Sequence, residues 1–332
     1  MTTVAANAHP PVDPEIADVF AVARANLPSS ATTSAAQYIA ARREMVSGAA
    51  ATDESLSRGG AIAIQELTVP GPAGAPDVPL LVLRPVGMTT QAAPGIYAIH
   101  GGGMIAGDNR TRIDTFVDWA VEFGAVLVSV DYRLAPECPD PGPVEDCYAG
   151  LSWTAEHAEE LGIDPARLIV AGGSAGGGLA AGVVLMARDR GGPALLGQVL
   201  MSPMVDDRHE TQSSTMLDGV GVWDRNANLI GWTALLGERR GGPDVSVYAA
   251  PAREANLAGL PPAFIDVGEV DGFRDEDVTY ATRIWQAGGA AELHVWPGGL
   301  HGFDQLVPGA EVSRAAISTR TDWVRRLLSS QA

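Results

Sequence analysis

From residue 61 onward, short apolar, β-branched runs alternate with longer stretches whose apolar positions recur at helical spacing. The runs at 61–69, 80–83, 95–99, 125–130, 168–171, 198–202, 263–267 and 291–296 predict strands. Helices are predicted over 113–123, 144–157, 175–188 and 277–287, with a last one ending near residue 328. Such alternation implies βαβ crossovers and a mostly parallel sheet, an α/β architecture. Two regions depart from it. The start is alanine-rich and carries a helical stripe (Ile16, Phe20, Ala23, Leu27), with Pro14-Glu15 as a first turn. Near residue 204 the pattern breaks into a polar stretch holding Met216, Leu217, Val222, Trp223, Trp232 and Leu235, and it resumes at 263. The reading is a helical segment over 1–55 and an α/β domain over 56–332, interrupted by an insertion at about 204–245. No repeat is visible.

Composition narrows the classes. With 332 residues there is ample material for a core, and no apolar run approaches the roughly 18 to 20 residues of a membrane span, so no stable membrane association is expected. The start carries Asp13, Glu15 and Asp18 instead of a basic-then-apolar leader, which points to the cytoplasm. A formal charge of −18, with basic residues clustered only in pairs such as Arg239-Arg240 and Arg325-Arg326, disfavours nucleic acid as a partner. All 22 basic residues are arginine, which excludes a lysine base, a Schiff base and a Walker lysine. Cys138 and Cys147 are expected to be reduced and structural.

The chemistry-bearing residues fall between these elements. Gly172-Gly173-Ser174-Ala175-Gly176 joins the strand ending near Ala171 to a small-residue helix, the setting of a nucleophile elbow. Small neighbours let strand and helix approach closely. The helix N-terminus offers amides to a developing oxyanion. His100-Gly101-Gly102-Gly103 follows another apolar strand, and its amides can point at one oxygen without obstruction. The expected oxyanion donors are Gly101, Gly102 and Ala175. Of the 6 histidines, His301 alone lies on a late loop, Pro297 to Leu300, after the last strand; His294 lies within that strand. No histidine pair has metal-ligand spacing, so no metal and no other cofactor is expected. The acid should come between serine and histidine, where Glu269, Asp271, Asp275 and Glu276 follow a strand end.

These motifs, with Asp131-Tyr132-Arg133-Leu134-Ala135-Pro136-Glu137 and His301-Gly302-Phe303, resemble the hormone-sensitive-lipase-like branch of the α/β-hydrolases, the group of many bacterial carboxylesterases. The resemblance covers the chain from about residue 60 and implies the α/β-hydrolase fold, a mostly parallel sheet flanked by helices. It assigns the acid to Asp271 and makes Ser174, Asp271 and His301 a catalytic triad. It also makes the helical start and the insertion a cap over a pocket expected to include Met104, Met216, Leu217, Trp223 and Phe303. Asp131 and Arg133 are read as a structural ion network. Gly173 departs from the family, which more often has aspartate or threonine there. The expected activity is hydrolysis of small to medium acyl esters through an acyl-enzyme, with a small-molecule ester as partner and a homodimer as a possible assembly. Alternatives are a lactone or amide hydrolase with the same triad, or a non-catalytic small-molecule receptor on this fold.

Overall fold

The protein is described by a computed structural model over residues 8–87 and 92–330; the first residues of the expected helical segment and the last two of the chain lie outside the described residues. Two helices lead, α1 (Pro14–Ala25) and α2 (Ala35–Ser47), followed by the one-turn α3 (Asp53–Leu56). Asp13 caps α1 by accepting from the Glu15 amide at 2.8 Å, with Pro14 in the first turn, as the Pro-Glu pair suggested.

Then come β1 (Ile62–Val69), β2 (Val78–Pro85), β3 (Ala93–Ile99), α4 (Asp114–Phe123), β4 (Val126–Val130), α5 (Gly142–Glu156), α6 (Ala158–Leu161), β5 (Ile163–Gly173) and α7 (Ala175–Arg190). After β6 (Gly197–Met201), the short α8 (Gln212–Met216) and α9 (Arg225–Leu236) occupy the insertion. The sheet resumes with β7 (Ala263–Val270), α10 (Arg274–Gln286), β8 (Ala291–Leu300), α11 (Phe303–Leu306) and α12 (Glu311–Ser329).

The eight strands form one sheet in the order β1-β2-β4-β3-β5-β6-β7-β8. Pairings β1–β2 and β2–β4 are antiparallel and the rest are parallel. Alternate side chains go to opposite faces, as the two-residue strand period dictates. Val82, Tyr97, Val128 and Val170 join one buried cluster with α5, α7 and α10. Leu81, Ile96, Leu127 and Ile169 join another with α4 and α12. Both faces are therefore covered, which is why the central strands read as nearly unbroken apolar runs.

A third cluster brings Ile16 and Phe20 of α1 against Met216, Leu217, Val270, Leu300 and Phe303. The helical start and the insertion thus pack together beyond the carboxyl ends of the strands. The chain leaves β3 for β4 on one side and later places β5 on the other, so the ends of β3 and β5 flank a topological switch point, the usual crevice for ligands in open α/β sheets.

β8 runs longer than the pattern suggested. Pro297-Gly298-Gly299 reads as a loop, yet a register shift between Gly268 and Val270 lets the strand continue until Leu300 pairs with Val270. A bulge absorbs the turn-forming residues, and the histidine follows directly from the strand end.

Candidate active site

Ser174 stands where β5 turns into α7. Its backbone takes φ 57°, ψ −124°, a strained conformation for a residue with a Cβ, costing of order 1–3 kcal/mol. The surroundings hold it there. The Ser174 amide donates to Met201 O at 2.8 Å, and the Ser174 carbonyl accepts from the amides of Gly178 and Met204, both at 3.0 Å. Glycine at 176 is required by close approach, since a Cβ there would lie 2.0 Å from Ile99 O. Gly173 is different: a Cβ would meet Met201 Cε at 3.5 Å, an ordinary contact, so packing does not require glycine at this departure from the family.

The glycine loop after β3 lies against the serine, with a Cβ position on Gly101 only 3.3 Å from Ser174 Cβ. Gly102 sits at φ 115° with Ala106 O in the place of its missing side chain, so no other residue fits. The amides of Gly101, Gly102 and Ala175 donate to no acceptor among the described residues. His100 braces the loop from behind: its ring stacks on Tyr132 at 4.1 Å, Nδ1 lies 2.8 Å from Gly101 O, and the Tyr132 hydroxyl donates to His100 O at 2.9 Å. Burial pushes this imidazole down to about 4, so it is neutral at neutral pH, with Nδ1–H donating to the carbonyl.

His301 lies between serine and acid. Its Nε2 is 2.9 Å from Ser174 Oγ and its Nδ1 is 2.8 Å from Asp271 Oδ2, while the edge of the Phe273 ring packs against it at 5.2 Å. Asp271 is buried, and its other oxygen accepts from the Phe273 amide at 3.1 Å, which fixes the carboxylate plane. Glu269, two residues earlier, turns away and accepts from the Gly298 amide at 3.1 Å. Behind the histidine loop, buried Arg320 of α12 donates to Asp266 at 2.6 Å and to Asp304 at 3.0 Å, anchoring the segment just past His301 to the sheet.

The cavity over these groups holds about 90 Å³, small beside the roughly 300–1,000 Å³ of drug-sized sites. Trp223 and Phe303 line it, as expected. Met104, Met216 and Leu217 do not. Met104 is fully buried in the main core at a left-handed turn (φ 62°), and the other two pack on α1 in the third cluster, because their apolar surface is consumed in holding the helical start.

Of the two residues read as a structural ion network, only Arg133 forms an ion pair among the described residues. Arg133 pairs bidentately with buried Asp146 of α5, at 2.6 and 2.7 Å, instead of with Asp131. Burial and then Asp108 raise Asp131 to about 6.

The sequence reading missed Arg42 and Arg112, which both line the cavity. Neither belongs to a motif, and the left-handed backbone of Arg112 (φ 53°) leaves no local signature. Cys138 and Cys147 are unpaired thiols. No group of His, Cys, Asp and Glu among the described residues could hold a metal ion, and no helix there is long and apolar enough to cross a membrane.

A family profile described as alpha/beta hydrolase fold matches residues 96–305. The chain belongs to the α/β-hydrolases, in their hormone-sensitive-lipase-like branch. Among curated relatives, esterase LipI of Mycobacterium tuberculosis is 36% identical over 72% of this chain and 74% of its own length. Carboxylesterase NlhH of the same organism is 39% identical over 74% of this chain and 78% of its own. Among solved structures, a bacterial heroin esterase superposes with a TM-score of 0.86 at 40% identity, covering 96% of this chain and 98% of the other.

Proposed function

We propose that this chain is a serine carboxylesterase with Ser174 as nucleophile. His301 takes the hydroxyl proton as Ser174 attacks the ester carbonyl, then returns it to the departing alcohol; water releases the acid from the acyl-enzyme by the same route in reverse. Asp271 holds the imidazole tautomer, and the free amides of Gly101, Gly102 and Ala175 receive the oxyanion, where one donor is commonly worth about 2.7–4 kcal/mol. The observation that carries the reading is the hydrogen-bonded chain from Ser174 through His301 to a buried carboxylate, at 2.9 and 2.8 Å. The esterase names of the relatives agree with it.

The helical start, described from residue 8 to about 55, and the insertion at about 204–245 act as the cap. The limited cavity favours small acyl groups over long ones. A receptor role would not need three intact catalytic groups, so the enzyme reading is preferred, and an ester outranks a lactone or an amide by the company of relatives. Two unpaired thiols suit a reducing cytoplasm.

The test is a panel of nitrophenyl esters of increasing acyl length, run on the wild type and on Ser174→Ala. The variant should fold normally and lose turnover by about 10⁶-fold, the scale seen when a serine nucleophile is removed. A folded variant with near-normal turnover would sink the mechanism.

A further inference from the structure

We propose that the preferred esters carry a second, anionic group, a carboxylate a few bonds from the scissile carbonyl, held by Arg42 and Arg112. The proposal rests on the esterase reading above and names the substrate class of that site.

In a protein of net charge −18, carboxylates are plentiful, yet neither of these arginines forms an ion pair among the described residues. Arg42, on α2, is 8% exposed; Nη1 donates to Val222 O at 3.3 Å and the guanidinium lies 5.5 Å from the centre of the Trp223 ring. Arg112 has one neutral partner, Gln305 Oε1 at 3.0 Å from its Nη1. Each guanidinium has five N–H donors, and most have no protein acceptor among the described residues; Arg42 is buried, whereas Arg112 is exposed and presents its remaining donors at the cavity mouth.

Both line the cavity that contains Ser174 and His301. A Cβ on Gly302, the residue after His301, would lie 3.8 Å from Arg112 Nη1. The Trp223 ring under Arg42 fills the side-chain position of Gly103 in the glycine loop, 2.1 Å from where a Cβ would be. The acids of the cavity wall, Asp266 and Asp304, both pair with Arg320, and neither forms an ion pair with Arg42 or Arg112, although Asp304 offsets part of the repulsion at Arg112. Arg112 also holds a left-handed backbone, φ 53°, which an arginine adopts only where the surroundings impose it.

The enclosing protein lowers both guanidinium values, with Arg42 adding to the effect at Arg112 and Asp304 partly opposing it, so an anion entering between them offsets two like charges that no ion pair neutralises among the described residues. Planar forks match a carboxylate bidentately, and Arg112 is open enough to the cavity to receive one.

Hydrolysis of monomethyl succinate and monomethyl glutarate, compared with dimethyl succinate and methyl butyrate, tests this by pH-stat titration of wild type, Arg112→Gln and Arg112→Lys. Wild type should favour the monoester anions in kcat/KM by tenfold or more. Arg112→Gln should lower kcat/KM for monomethyl succinate by about ten- to hundredfold, mainly through KM, a loss at least tenfold larger than that for methyl butyrate; lysine should restore part of it. Free succinate should inhibit methyl butyrate hydrolysis competitively, and less well in Arg112→Gln.

Equal losses on charged and neutral esters, or a wild type indifferent to the carboxylate, would overturn the proposal while continued cleavage of methyl butyrate leaves the esterase reading standing. A wild type inert toward every ester would defeat both.

Discussion

Asp271 and Glu269 are two residues apart on one strand end, and only the first reaches the imidazole, at 2.8 Å. Asp271→Asn removes the charge that fixes the histidine tautomer, a change that costs roughly 10⁴ in turnover in a serine protease. Turnover should therefore fall by several orders of magnitude with the fold retained, as read by steady-state rates and circular dichroism. Glu269→Gln keeps an acceptor for the Gly298 amide and should change turnover by less than about tenfold. The reverse ranking would mean that the acid was misassigned.

At this scale the elbow and the glycine loop were legible because each needs particular residues: Gly176 faces Ile99 O and Gly102 faces Ala106 O with no room for a Cβ. The two cavity arginines were not, since nothing within a few residues of Arg42 says that α2 will bring it to the site.

Among the elements, most strands and helices of the α/β body follow from period and apolar runs, while the last four residues of β8, 297–300, do not. Local turn chemistry at Pro297-Gly298-Gly299 argues for a loop, and tertiary pairing with β7 prevails. The insertion was legible only in part: Trp223 lines the cavity, whereas Met216 and Leu217 face elsewhere. Amphipathic positions such as Met216 and Leu217 show that something is covered but not which partner covers them, and here it is α1.

That packing predicts what the helical start does. Removing residues 1–45 takes away α1, most of α2 and Arg42, uncovers Met216, Leu217 and Leu300 and deletes the Asp13 amide that donates to Gly298 O of β8, but removes no residue of the eight strands. The truncated protein should keep its sheet by circular dichroism, bind more of a hydrophobic dye and show an altered acyl-length preference. An unchanged substrate profile would remove this segment from the cap.

For the whole molecule, the acids inside the fold set a pH limit. Asp277 is completely buried, and neither of its carboxylate oxygens has a hydrogen-bond partner among the described residues. Burial, then the neighbouring Glu276, Asp271 and Asp266, raise it well above the ordinary carboxylate value. The folded protein holds a proton that the unfolded chain releases above about pH 4. Its contribution to stability is complete below that pH and is lost as pH rises toward the folded value. Asp277→Asn is neutral throughout and nearly isosteric, so its melting temperature should fall less than that of the wild type between pH 5 and 9. Parallel curves would show that folded Asp277 is already ionised at pH 5 and holds no extra proton.

The central claim, that one serine is activated by one histidine and performs the chemistry, is tested most directly by labelling with a fluorophosphonate and locating the adduct by peptide mass spectrometry. The account predicts a single adduct on Ser174 that forms in parallel with loss of ester hydrolysis and is nearly abolished in His301→Ala. An adduct on another residue, or full labelling of Ser174 with hydrolysis retained, would contradict it.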